Sequence, residues 1–259
     1  MHRGSFFRFI LFIFLALNLG ACASYSRQKQ DQKNQHRAQL HMEIGTTHLM
    51  NGRYPEAMSE LIIAAQLDPR SPQIQNNLAL AYFARNRFAE AETHFRRALE
   101  LDSRFTEARN NLGRLVMQVG RLDEAVSLFQ ASVEDLTFSR PGDSLLNLGE
   151  ALYRKRDFKG ARTYLEQAAQ VDRESCPAHF LYGRSLYELG EFSLAARTLD
   201  AAIRLCPSME SEDPHFYSAL SYAKIGQRTQ AIARLEEMMS MYPGGRHQSE
   251  AQKMLDLLK

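Results

Sequence analysis

The chain has 259 residues, with 32 basic and 30 acidic side chains, eight histidines, three cysteines and no tryptophan. A net charge of only +2 makes no electrostatic case for nucleic acid, whose phosphates call for a concentrated basic surface. At 44 % hydrophobic residues the chain can bury a core, and three cysteines are too few to frame a disulfide-built miniature fold.

Residues 1–8 carry Arg3 and Arg8 and no acid, and a largely apolar run of eleven residues follows from Phe9 to Leu19. A bilayer span needs about 20 residues, so this run does not cross; a charged start and an apolar middle are the pattern of a secretory signal. The run ends Leu19-Gly20-Ala21-Cys22, which resembles the lipobox of bacterial lipoproteins: an aliphatic residue, two small residues, then Cys. That resemblance implies removal of residues 1–21 and acylation, palmitate-like, of the sulfur and new amino terminus of Cys22. The plainer reading is an ordinary signal peptide with an incidental cysteine. Several acyl chains, at about 0.8 kcal/mol per buried methylene, would hold the protein on a membrane. Ala23 rather than Asp after the cysteine implies, by analogy with enterobacterial lipoproteins, the outer membrane. Cleavage loses Arg3 and Arg8 and no acid, so the 30 basic and 30 acidic residues left are balanced. Residues 22–37 then read as a lipidated Cys and polar tether. Ser24 to Gln39 is nearly devoid of apolar residues, and as a flexible coil it would average about 20 Å end to end.

From residue 38 to 259 the pattern changes to amphipathic helices folded in pairs. In the stretch Pro72 to Arg104, apolar residues recur at Ile74, Leu78, Ala81 and Tyr82, then at Phe88, Ala91, Phe95 and Ala98 beyond the polar turn at residues 85–87. Steps of three and four on either side of a short turn predict a helical hairpin, which needs copies of itself as neighbours to bury both faces. Small residues open the second helix at Ala57, Ala91, Ala125, Ala161, Ala195 and Ala231, at intervals of 34, 34, 36, 34 and 36. Four positions later stand Leu61, Phe95, Phe129, Leu165, Leu199 and Leu235. The first helix carries its own small residue at Gly45, Ala79, Gly113, Gly149, Gly183 and Ala219, where backbones must approach closely.

A 34-residue helical period of this kind resembles the tetratricopeptide repeat, from about residue 38 to 243. The resemblance implies an all-α fold: a right-handed α-solenoid of six helix hairpins whose first helices line a concave groove. The departure is the missing tryptophan, whose usual position holds His41, Gln75, Arg109, Leu145, His179 and His215. Two junctions are two residues longer, around Leu136 to Asp143 and around Pro207 to Pro214; each alters the angle between hairpins or forms a slack loop. After Pro243-Gly244-Gly245, about residues 246–259 pattern as a capping helix with Ala251, Met254, Leu255 and Leu258 on one side.

No phosphate-binding, dinucleotide, zinc-protease or nucleophile-elbow motif occurs, so no catalytic residue, cofactor, metal or small-molecule substrate is expected. His41 and His48, seven apart, share a helical face but lack a third ligand at suitable spacing. With Cys22 acylated, Cys176 and Cys206 remain at the two ends of one hairpin. Antiparallel helices bring those ends together, so they form either a disulfide in an oxidising compartment or two buried thiols. On the implied groove stand Asn77, Asn111 and Asn147, a ladder of carboxamides suited either to an extended partner's backbone or to neighbouring helix ends. Around it the candidates are Leu49, Leu80 and Phe83, then Arg114 and Met117, then Glu150, Tyr153, Arg184, Tyr187 and Glu188.

A lipobox, a polar tether, six such repeats and Asn-Asn-Leu at residues 76–78 and 110–112 together resemble the outer-membrane lipoproteins of type IV pilus biogenesis, the pilotins. That resemblance implies a non-catalytic protein, lipid-anchored with its repeats in the periplasm, whose partner is an unassembled subunit of the pilus secretin. The alternatives are an adaptor in outer-membrane protein insertion or cell-wall remodelling, and a non-catalytic subunit or enzyme.

Overall fold

In the computed structural model, residues 3–206 and 211–259 are described, with side chains from residue 27 onward. Thirteen helices and no strand occur among the described residues. They are α1 (Arg3–Met50), α2 (Tyr54–Leu67), α3 (Pro72–Ala84), α4 (Phe88–Leu101), α5 (Thr106–Gln118), α6 (Leu122–Val133), α7 (Pro141–Arg154), α8 (Phe158–Val171), α9 (Cys176–Glu188), α10 (Phe192–Leu205), α11 (Asp213–Lys224), α12 (Arg228–Met241) and α13 (Gln248–Leu258). The chain forms two compact units, residues up to Ala108 and residues from Arg109 to Lys259.

In the first unit α1 pairs with α2 and α3 with α4. Its core joins Ala57, Met58 and Leu61 of α2 to Leu78 and Ala81 of α3, while Ala38, Ala64 and Ile74 form a second cluster. The polar stretch before it is not the coil expected from composition: α1 runs through it unbroken. No Gly or Pro falls between Gly20 and Gly45, and Gln, Lys, Arg and Ala are good helix formers. Side chains four apart brace it, Gln30 donating to Asn34 and Gln39 to Glu43, each at 2.9 Å. Ala38 is the first fully buried side chain among those described. At about 1.5 Å per residue the sixteen residues from Ser24 rise about 24 Å as a stiff spacer.

In the second unit α7 pairs with α8, α9 with α10 and α11 with α12, and α13 covers the end. Ala251 and Leu255 of α13 bury against Phe216, Ala219, Leu235 and Met238.

Close approach explains the small residues. A Cβ added at Gly45 would lie 2.7 Å from Leu61 Cγ, at Gly113 2.6 Å from Phe129 Cε1, and at Gly183 2.6 Å from Leu199 Cγ. Large side chains of the second helix therefore seat directly on the bare backbone of the first. The turn inside each hairpin repeats too. It places one residue at positive φ: Gly52, Asn86, Gly120, Arg156, Gly190 and Gly226 in turn. That series has the repeat's own spacing, and only Asn86 and Arg156 bear the steric cost of a Cβ there.

Where tryptophan is missing, polar side chains reach from the first helix to the second. His41 Nδ1 meets Glu60 at 2.6 Å, Gln75 Oε1 meets His94 Nδ1 at 2.8 Å, and Arg109 donates to the Ala131 carbonyl at 3.5 Å. Leu145 fills the same place by packing on Ala168 and Ala169. His179 stays within its own helix, on the Ser175 carbonyl at 2.9 Å, and His215 is buried against the Tyr242 ring. A bond thus replaces bulk in half of the hairpins.

The two longer junctions differ. At the first, Leu136 is 96 % exposed and Asp135 caps its own turn by accepting from the Thr137 amide at 2.9 Å. Part of the second, residues 207–210, lies outside the described residues. Its remainder is no slack loop, because Glu212 and Asp213 are buried and bound to the cap. Glu212 accepts from the His247 amide at 2.8 Å, and Asp213 from Arg246 and from His247 Nε2 at 3.0 Å. His247 also stacks on Phe216, ring centres 3.9 Å apart. Burial works to raise the Asp213 pKa, but the bonds from Arg246 and His247 outweigh it and hold the carboxyl below its ordinary range.

Candidate partner-binding surface

The face presented by the first helices of the hairpins is the one the sequence marks as functional, and each unit builds it differently. In the first unit α1 and α3 lie side by side. Asn77 donates to Thr46 Oγ1 at 3.0 Å and accepts from Asn76 at 3.2 Å, so its carboxamide ties one repeat to the one before. Leu80 and Phe83 are half-buried on the same helix, and the Phe83 ring packs on Phe88 across the turn, centres 5.8 Å apart. Leu49 packs against the core. Leu80 and Phe83 leave a partly open apolar patch there.

In the second unit Asn147 donates to Asn110 Oδ1 at 3.2 Å, again between successive first helices. Asn111 is buried. Of the two uses the sequence left open for the asparagine ladder, bonding within the protein is the one seen at Asn77 and Asn147. Met117 is only 7 % exposed and belongs to the core, whereas Arg114 is exposed. Glu150 is engaged by Arg154 at 2.6 Å. Tyr153 packs on Phe158 and Tyr187 on Phe192, repeating across their turns the contact made by Phe83. Arg184 lies over the Tyr217 ring at 3.5 Å, with Tyr153 at 5.7 Å and Phe180 at 5.9 Å. In this unit the face is aromatic and charged.

Burial raises the Tyr153 and Tyr187 pKa values, so both hydroxyls stay protonated and can donate to a ligand.

Cys176 and Cys206 are paired, their Cα atoms 6.0 Å apart, within the span a disulfide requires. Cys22 lies outside the described side chains. His41 is occupied by Glu60, and among the described residues no group of three potential metal ligands occurs. Nor, among the described residues, is any helix long and apolar enough to cross a membrane.

One cluster escaped sequence reasoning. Asp200 of α10, buried, accepts from Ser218 Oγ at 2.7 Å, Tyr222 Oη at 2.7 Å and Arg234 Nε at 2.9 Å, so one carboxylate ties α10 to both α11 and α12. Burial pushes its pKa up, and the bonds from Arg234, Ser218 and Tyr222 pull it further down, below the ordinary value. Tyr222 is pushed up to about 12 by burial and by its bond to Asp200. The only trace in the sequence is an acid standing among apolar residues of an amphipathic helix.

The tetratricopeptide repeat family pattern matches residues 42–104, 76–143 and 146–210, and a second tetratricopeptide pattern matches residues 215–245. The chain is a tetratricopeptide repeat protein. No characterised protein sequence matches it as a whole. Among solved structures, this tetratricopeptide protein is similar to PilF of Pseudomonas aeruginosa, with a TM-score of 0.78 at 20 % identity, over 86 % of this chain and 99 % of that one. It is similar to PilW, a widely conserved type IV pilus biogenesis factor, with a TM-score of 0.73 at 19 % identity, over 84 % and 98 %. A third, YrrB, described as having an unusual peptide-binding site, gives 0.64 at 22 % identity over 74 % and 97 %. At these identities the likeness establishes a shared fold.

Proposed function

We propose that this chain is a non-catalytic lipoprotein of type IV pilus biogenesis, acylated at Cys22 and held at the outer membrane with its repeats in the periplasm. There it captures unassembled secretin subunits and promotes their assembly. The observation that carries the reading is the near end-to-end match with two pilus proteins, each covered over 98 % or more of its length. The sequence Leu19-Gly20-Ala21-Cys22 supports the anchor, and the α1 spacer would stand the repeats clear of the headgroups. For capture, the half-buried Leu80 and Phe83 supply an apolar patch for a β-protein segment not yet folded into its barrel.

Met117 is unsuitable for a test because charging a core residue would unfold the repeat. Leu80→Glu with Phe83→Glu places charge on the open patch instead. The double variant is expected to keep its helical circular dichroism and leave the secretin as monomers on a denaturing blot. Normal heat-resistant multimers beside a folded double variant would refute capture at this patch. For the anchor, Cys22→Ala should release the protein from the outer-membrane pellet.

A further inference from the structure

In the first unit a cleft of about 460 Å³ lies between the start of the polar stretch of α1 and the turn that joins α2 to α3. Arg27, Asp31 and Asn34 face it from α1, and Asp68 and Arg70 from the turn. Two cations and two anions thus share one space, and among the described residues none of the four side chains is in an ion pair. Asp68 accepts from the Arg70 amide at 3.1 Å through one oxygen, which leaves the other open. Asn34 accepts from Gln30 at 2.9 Å, which leaves its own N–H groups to donate. Leu67 and Pro69 add apolar surface beside these charges. The position along α1 is a second, independent observation. Arg27 follows Cys22 by five residues, about 8 Å of helix, and Asp31 by nine, about 14 Å. The headgroup layer of one leaflet is about 5–8 Å deep. With α1 upright on an acylated Cys22, the mouth of the cleft opens at the headgroups, while the hairpins beyond the turn stand clear.

Unpaired charges of both signs in one cleft fit a ligand that carries both. We propose that the cleft between α1 and the α2–α3 turn binds a zwitterionic phospholipid headgroup, a phosphate diester bearing a primary ammonium, as in phosphatidylethanolamine. Arg27 and Arg70 take the phosphate through charge-assisted N–H···O bonds, for which the planar guanidinium is suited, and Asn34 adds a donor. Asp31 and Asp68 accept hydrogens from the ammonium. Leu67 and Pro69 lie against the glycerol end. The lining also discriminates between headgroups. A quaternary ammonium has no N–H to give a carboxylate and is ordinarily held by aromatic rings, and no ring among the described residues lines this cleft. A headgroup with a phosphate and no ammonium would leave the two carboxylates facing a like charge. The proposal rests on the reading above that Cys22 is acylated at a membrane. It adds a second hold, one that reads the lipid and sets how the first hairpin stands on the surface.

The test has two arms. In the first, the full chain in an uncharged maltoside detergent meets three soluble headgroups, followed by ligand-observed NMR and calorimetry: glycerophosphoethanolamine, glycerophosphocholine and glycerophosphoglycerol. The ethanolamine ester is expected to bind about tenfold tighter than either of the others, the worth of one more charge-assisted hydrogen bond. Arg27→Gln with Arg70→Gln should abolish binding. Asp31→Asn with Asp68→Asn should lower the ethanolamine ester to the level of the choline ester, and Asn at 68 retains an acceptor for the Arg70 amide. All four side chains are exposed or half-buried, so both double variants should keep their helical circular dichroism; if the second does not, Asp31→Asn alone should narrow the preference several-fold. Equal binding of the three esters, no binding by any, or an ethanolamine preference undiminished in the variants would each overturn the proposal. The second arm separates a lipid from a soluble ester. The full chain is placed in vesicles of phosphatidylglycerol mixed with either phosphatidylethanolamine or phosphatidylcholine. Hydrogen exchange at the amides of Asp68, Arg70 and Ser71 should slow several-fold with the ethanolamine lipid alone. Identical exchange in the two vesicles would overturn the assignment to a lipid, even where the soluble ester binds. The soluble esters read the cleft without the anchor, and fractionation of Cys22→Ala reads the anchor without the cleft, so failure of one is distinguishable from failure of the other.

Discussion

The two units share one framework and hold it together by different means. In the first, an apolar core is trimmed by exposed ion pairs along one helix, Arg96 with Glu92 and Arg97 with Glu100. In the second, comparable hairpins are tied by a sulfur–sulfur link, by the Asp200 carboxylate and by the Glu212–Asp213 grip on the final helix. The faces diverge in parallel, Leu80 and Phe83 in one and ringed Arg184 in the other. The lesson is that spacing is set by small-on-large packing, so the repeat can exchange both its fastenings and its exposed chemistry without losing its shape.

The strongest way to break the contrast is to remove the cysteine link. Closing a loop of about 30 residues contributes roughly 3–4 kcal/mol in the chain-entropy account. Cys176→Ala with Cys206→Ala should therefore lower hydrogen-exchange protection in α9 and α10 by about that much and leave α3 and α4 unchanged. Mass spectrometry of unreduced protein should show two hydrogens fewer than the dithiol.

Asp200→Ala comes next. It strips an acceptor from the buried Ser218 hydroxyl, from the half-buried Tyr222 and from Arg234, which retains Glu237, and should cost about 2–3 kcal/mol, measured by denaturant melting. The pH dependence has a definite sign. Since the folded pKa of Asp200 lies below the ordinary 3.8, its stabilisation is full above about pH 5 and is lost as pH falls through the folded value. The native protein should thus lose stability on acidification below about pH 4, and Asp200→Ala should flatten that loss.

These two features also show where sequence reading stops. Gly45 against Leu61, Gly113 against Phe129 and Gly183 against Leu199 were legible because each pair recurs at one interval, and recurrence is information about backbone distance. Asp200, bonded to residues 18, 22 and 34 positions away, occurs once and has no period to reveal it. The asparagines were legible as a ladder, but not the direction of their bonds: Asn147 could not be matched to Asn110 until two first helices were set side by side. On the surface, Phe83 and Tyr153 were found by register, while Met117, in equivalent register, proved buried, because register fixes a position on the helix and not its exposure. The coil expected before residue 38 became helix because low hydrophobicity argues against a core, not against a helix.

A third comparison sharpens the shared framework. Gly149→Ala forces Leu165 outward and should cost about 1–3 kcal/mol by overpacking. Ala79→Gly, at the same position of another repeat, should cost only about 1 kcal/mol, from helix propensity. Smallest of all, Glu100→Gln removes an ion pair exposed on both sides and should shift stability by about 0.2–1 kcal/mol, with the difference shrinking further in high salt.

The cysteine pair encloses the entire α9–α10 hairpin, with the turn at Gly190 inside the ring. That segment of backbone is therefore redundant for keeping the chain in one piece. A protease that cuts at Glu188 or Glu191 severs the polypeptide without parting it: the product should migrate as intact protein until a reductant is added, and only then fall into two fragments.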